Sequence, residues 1–140
     1  DADRKYAPSK RVYRFDPGSD QWERLGDLPV ARVAAVSPCP VRPDGHILLV
    51  GGYAEVFPGA PREHPGFATD TWIFNPVART WSAGPEMPRA PAGDRDRSTD
   101  AGPGPVVAAP GAVWQGHAVV ISGEIRPATR TPAVLAWPLR

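Results

Sequence analysis

The stretch SGEIRPATRTPAV, residues 122–134, places one carboxylate, Glu124, just ahead of two guanidinium groups, Arg126 and Arg130, with Pro127 stiffening the chain between them. A carboxylate beside guanidinium groups is held ionised and can take a proton from a hydroxyl. An Arg side chain can also grip a carboxylate through two parallel N–H bonds, which suits an acidic ligand. The same spacing reads equally as a loop carboxylate neutralised by Arg126 or Arg130, with no chemistry attached. The remaining reactive side chains offer less. Cys39 is the only Cys, so it makes no internal disulfide, and no second Cys or close His pair gives it zinc-ligand spacing; it reads as a buried or turn thiol. His46 and His117 stand at equivalent places before apolar runs, which points to structure. His64, beside Arg62 and Glu63 on a long loop, is expected in solvent, as is the DRDR run at 94–97. No residue set here calls for a metal or a cofactor.

Glu124 follows the apolar run Ala118–Ile121, so the elements that must hold it are strands. A repeat fixes their order. VYRFDPGSDQWERLGDLP (12–29) aligns without a gap on TWIFNPVARTWSAGPEMP (71–88), an offset of 59 residues. Tyr13 meets Trp72, Phe15 meets Phe74, Asp16 meets Asn75, Pro17 meets Pro76, Trp22 meets Trp81, Leu28 meets Met87 and Pro29 meets Pro88. Each copy reads as two short strands around an Asp/Asn-Pro turn, in which the Asx side chain bonds the backbone ahead and Pro presets the dihedral. GHILLVGG (45–52) resembles GHAVVISG (116–123) at an offset of 71, the difference absorbed by an insertion at 89–104. The resulting unit has strand A at Val33–Val36, strand B at Ile47–Gly51, strand C at Thr71–Phe74 and strand D around Trp81. Strand B is apolar on both faces, as a strand between neighbouring sheets must be, and Gly51-Gly52 allow backbones to approach closely. Trp22, Trp81, Tyr13 and Trp72 recur with the repeat and belong to its packing. Trp114 and Trp137 fall outside that register.

Four-stranded antiparallel units at this spacing predict an all-β chain of propeller blades. The chain is 140 residues long and 41% hydrophobic, enough for a real core, and its 19 Pro and 14 Gly suit many short strands joined by turns. Residues 1–29 supply strands C and D of one blade, 30–88 a complete blade, and 89–140 strands A, B and C of another. A ring needs roughly four to eight blades; two to three blades with exposed edges predict a segment of a larger propeller, closed by another segment or by further chains. With 16 basic against 15 acidic side chains spread along the sequence, no nucleic acid or anionic membrane partner is expected. No apolar stretch approaches the roughly 18 residues of a membrane span, and no signal-peptide pattern opens the sequence.

The apolar run ending in Gly-Gly, followed by an aromatic and a Trp nine residues later (Tyr13 to Trp22, Trp72 to Trp81), resembles the kelch repeat of β-propellers. Gly123-Glu124-Ile125-Arg126-Pro127-Ala128-Thr129-Arg130-Thr131 resembles the Gly-Glu-x-(Lys/Arg)-Pro-Gly-x-Arg-Thr-Asp segment of N-acetylneuraminate epimerases, the sialic acid mutarotases, which are six-bladed kelch propellers. Glu124, Pro127, Arg130 and Thr131 match, and Arg126 is a permitted basic residue. Ala128 stands where that family has Gly, Thr129 where it has an apolar residue, and Pro132 where it has Asp. The resemblance implies a proton acceptor at Glu124, a catalytic partner at Arg130, substrate binding at Arg126, an acidic sugar as substrate, an isomerase activity, and a periplasmic or secreted location. The other reading of the same fold is a non-catalytic kelch module that binds a protein through its loops. A kelch-type copper oxidase is disfavoured by the lack of a suitable Tyr/His/Cys set. The B–C connections, residues 53–68 and those after Ser122, should emerge on one face together with the 89–104 insertion, and function is expected there.

Overall fold

The structure is a computed structural model, and it describes residues 7–60, 63–88 and 106–139. Among the described residues, ten strands form four small antiparallel sheets. Strands β1 (Ser9–Asp16) and β2 (Gln21–Arg32) make a hairpin. Strands β3 (Ile47–Val50), β4 (Thr71–Asn75) and β5 (Thr80–Ala83) form a meander, the B, C and D strands of the central unit. Strands β6 (Gly111–Trp114) and β7 (His117–Ile121) pair with each other, and β10 (Val134–Pro138) pairs with the other edge of β7. Strands β8 (Glu124–Arg126) and β9 (Thr129–Arg130) form a short hairpin inside the β7–β10 connection. The chain is all-β and built as propeller blades, as the repeat predicts. The 89–104 insertion, with its DRDR run, lies outside the described residues.

The two copies of the repeat fold alike. Asp16 accepts a hydrogen bond from Gly18 N–H at 2.9 Å, and Asn75 accepts from both Val77 and Ala78 N–H at 2.9 Å, so each Asx side chain closes its turn. Phe15 lies directly opposite Trp22 across β1–β2, and Phe74 opposite Trp81 across β4–β5. The ring centroids are 5.0 and 4.7 Å apart, with nearly the same tilt.

Strand A differs from expectation. Residues 33–36 form no continuous strand: Val33 bridges Tyr53, Val36 N–H bonds Val50 O at 3.0 Å, Leu48 N–H bonds Pro40 O at 2.8 Å, and Val41 bridges Ile47. The segment therefore runs beside β3 as a broken edge. Pro38 and Pro40 have no N–H to give a ladder, and Ala34 turns through a positive φ of 54°. Strand β2 also continues past the boundary expected at Pro29, reaching Arg32. There the Arg32 guanidinium, almost fully buried, grips both oxygens of Asp70, which also accepts from Trp72 Nε1 at 2.7 Å. That contact ties the first hairpin to the central sheet.

Burial follows strand alternation. Leu48 and Val50 of β3, Ala118 and Val120 of β7, and Leu135 and Trp137 of β10 point into one cluster with Val36, Met87, Val106, Ala109, Ile125 and Leu139. Trp137, which the repeat leaves unplaced, is core; Trp114 is exposed. Cys39 is half-buried, its Sγ 3.5 Å from Val36 O, and burial pushes its thiol pKa up, which keeps it protonated and unreactive.

The central and C-terminal sheets meet at Gly51. Its φ is 66°, and a Cβ there would stand 2.3 Å from Val106 O, a backbone atom that cannot swing aside. Gly51→Ala should therefore lose about 3 kcal/mol of stability, from left-handed strain plus a displaced backbone. Urea unfolding checks this; a loss under about 0.5 kcal/mol, the size of an ordinary surface change, would show that the seam yields freely.

Candidate functional site

The site is assembled by backbone pairing, and residues 106–109 are its keel. Val33 and Tyr53 exchange two N–H···O bonds of 3.1 Å. Ala108 N–H then bonds Ala34 O at 2.9 Å, and Val107 and Glu124 exchange bonds of 2.9 and 3.0 Å. A continuous series of main-chain bonds thus runs from Tyr53, the start of the long loop, to Glu124, the start of β8. Gly123, at a φ of 112°, lies against Ala109 and Val106, where a Cβ would come within 2.8 Å of the Ala109 methyl. The two B–C connections expected on one face are brought together in this way.

Between them lies a pocket of about 290 Å³, lined on one side by Tyr53, Glu55, Phe57, His64 and Phe67, and on the other by Val107, Glu124 and Pro127. It is a mostly apolar cleft with a few polar groups, the usual build of a small-molecule site. Glu124 is partly buried in its wall. Arg130 faces Glu124 across the β8–β9 register, with Nη2 at 3.8 Å from Oε1, and its own side chain is largely in solvent. At that distance and exposure the pair is worth well under about 1 kcal/mol. The carboxylate therefore remains available to a ligand. Arg126 is half-buried, and its positive charge reaches His64.

His64 departs from its expected place. It is buried, 8% exposed, with its ring between Phe57 at 5.2 Å and Phe67 at 4.8 Å, and Phe67 packs in turn on Tyr53. Its Nδ1 accepts Gly66 N–H at 3.1 Å, which assigns the ring proton to Nε2. Burial, reinforced by the Arg126 charge, lowers its pKa from the ordinary 6.5, so the ring is neutral at neutral pH. The aromatic rings of Phe57, His64 and Phe67 in one loop were the sequence signal for this cluster; their uneven spacing carries no period that reveals it. Among the described residues no three His, Cys, Asp or Glu side chains converge as metal ligands.

The β8–β9 turn is shaped by Pro127 and Ala128. Ala128 has a φ of 62°, and Pro followed by a positive-φ residue fits a type II turn. This is the backbone that glycine favours, so the Ala at 128 keeps the turn geometry at the cost of strain. Thr131, buried, anchors the far end: its N–H bonds Gly123 O at 3.0 Å, its Oγ1 accepts from Ala133 N–H at 3.1 Å, and its carbonyl accepts from Ser122 Oγ at 2.7 Å.

No protein-family model matches the chain. No curated protein matches it in sequence. Among solved structures it is similar to one titled "Structure of YjhT", with a TM-score of 0.68 at 17% identity over 92% of this chain. The alignment spans 40% of that protein's chain. At this identity the likeness speaks for the fold.

Two outcomes follow from the geometry. Ala128→Gly should raise stability by about 0.5–1 kcal/mol, the strain relieved exceeding the entropy added to the unfolded chain; urea unfolding reads it, and a loss would refute the turn assignment. Because the folded-state pKa of His64 lies below its unfolded value of 6.5, protons bind the unfolded chain first as pH falls. His64 stability is therefore complete above pH 6.5 and is lost as pH drops through the folded pKa. The melting temperature should fall over that window, and His64→Gln should flatten the fall; an unchanged slope in the variant would refute it.

Proposed function

We propose that the chain carries the acid/base centre of a sugar mutarotase acting on N-acetylneuraminic acid or a related acidic sugar. The observation that carries this reading is the Glu124 carboxylate set in the wall of a sugar-sized pocket and only weakly paired, on a hairpin whose residues resemble the epimerase segment. Glu124 takes the proton of the anomeric hydroxyl. The ring C–O bond then breaks, a carbonyl forms at the anomeric carbon, and the ring oxygen becomes a hydroxyl. Rotation of the open chain presents the other carbonyl face, and reclosure returns the proton. Arg130 lies across the hairpin from Glu124 as its loose partner, and Arg126 attracts the sugar's own carboxylate.

The reading places this chain within a larger ring. Phe15 is 41% exposed whereas its counterpart Phe74 in the central unit is 4% exposed, and Trp22 is 69% exposed whereas its counterpart Trp81 is partly buried. Among the described residues β4 has β3 on its other edge and β1 has no such neighbour, and further blades supplied by another segment or chain would cover that hairpin.

One-dimensional proton NMR of a freshly dissolved single anomer tests the activity. The wild-type chain should accelerate equilibration over buffer, and Glu124→Gln should lose roughly a hundredfold or more of that acceleration. Folded wild-type protein that leaves the buffer rate unchanged would remove the mutarotase assignment.

A further inference from the structure

We infer that His64 is a second catalytic group of this site, a neutral hydrogen-bond donor that stabilises the ring oxygen as the sugar opens. The inference rests on the mutarotase reading and adds a residue that neither the repeat nor the epimerase-like segment contains.

Mutarotation requires more than a base. When Glu124 removes the anomeric proton and the ring C–O bond breaks, the ring oxygen leaves with the electron pair and develops negative charge. A fixed N–H aimed at that oxygen lowers the barrier, because charge that appears only in the transition state is met by a dipole already in place. A donor on the wall that faces Glu124 would meet the ring oxygen from the other side of the sugar.

His64 meets the requirement on three structural grounds. It lines the same pocket as Glu124 but comes from the opposite connection, so a sugar in the cleft lies between them. Its tautomer is fixed: Gly66 N–H occupies Nδ1, so Nε2 carries the proton. Its orientation is fixed as well, since Phe57 meets the ring edge to face at 69° and Phe67 packs on it at 53°. A backbone donor on one nitrogen and aromatic rings on two sides make a preorganised donor from a residue that in solvent would have neither. Burial, and after it the Arg126 charge, oppose protonation of the ring, which keeps it neutral. A neutral imidazole does not surrender its proton; it stabilises the developing alkoxide, and the proton that Glu124 removed returns to the ring oxygen through solvent, so the balance closes without another acid. Phe57 and Phe67 offer apolar surface to the C–H face of the sugar.

The test compares wild type, Glu124→Gln, His64→Phe and His64→Gln by the anomer NMR assay, with folding confirmed by circular dichroism. Phe keeps the aromatic packing and removes the donor; Gln restores an N–H. The expected result is a fall of about a hundredfold in kcat for His64→Phe with KM little changed, and partial recovery in His64→Gln. A readout independent of turnover uses the Glu124→Gln protein: long-range proton–nitrogen spectra of His64 should show the Nε2-protonated tautomer, and the Nε2 resonance should shift on adding N-acetylneuraminic acid. Wild-type kcat in His64→Phe, alongside lost activity in Glu124→Gln, overturns this role and leaves the mutarotase reading standing. An Nε2 signal indifferent to the sugar overturns it too. No acceleration by wild type overturns both.

Discussion

The backbone bonds of residues 106–109 are the constraint on which the site depends. Val107 and Ala108 are paired on opposite sides, one with Glu124 and the other with Ala34, and Val33 beside Ala34 holds Tyr53. A bond between main-chain groups at about 3 Å is worth only about 1 kcal/mol net. The series matters less for its energy than for its geometry: it sets the separation of two loops that belong to different sheets. The glycines at the seam serve the same end. Gly51 and Gly123 both lie against this segment at positive φ, where a side chain would push it away and widen the pocket.

The repeated hairpin shows how little local sequence decides burial. Phe15–Trp22 and Phe74–Trp81 have the same register, the same Asx turn and nearly the same ring geometry. Phe15 is nonetheless 41% exposed while Phe74 is sealed: β3 pairs with β4 and sets Ile47 directly beside Phe74, whereas among the described residues β1 has no strand on that edge. Local chemistry makes the hairpin; the neighbouring strand makes it core. Burying an aromatic or aliphatic side chain of this size contributes about 1.5–3 kcal/mol, so the first hairpin lacks stabilisation that its sequence is composed to receive. Ion pairs supply some of what holds it. Glu23 bridges Arg14 and Arg79, both at 2.6 Å but largely in solvent, and Arg32, itself buried, pairs with the half-exposed Asp70 to join β2 to the residue before β4.

The fold was legible because its signals are periodic. Alternating aromatics, Asx-Pro turns and Gly-Gly ends recur at fixed offsets, and strands B, C and D fall where those signals place them. Strand A was misread because Val33–Val36 has the right composition while Pro38 and Pro40 withhold the donors a ladder needs, a constraint that lies outside the apolar run itself. The site was legible in part. Glu124, Arg126 and Arg130 share one short segment, and a hairpin keeps such neighbours together. His64 was not legible, since its burial depends on Phe57, Phe67 and the facing wall, and a loop of 53–68 has no period from which to read such a contact.

The surroundings of His64 and Glu124 differ, and this decides how the pocket can work. Burial, and after it the Arg126 charge, oppose a proton on His64, while Arg130, exposed and 3.8 Å away, barely restrains Glu124. The cleft thus holds a neutral imidazole on one wall and a loosely partnered carboxylate on the other. Two such groups can divide a reaction between them, one taking a proton and the other meeting charge with a fixed dipole. The β8–β9 register sets Arg130 opposite Glu124, and the Arg126 charge acts instead on His64.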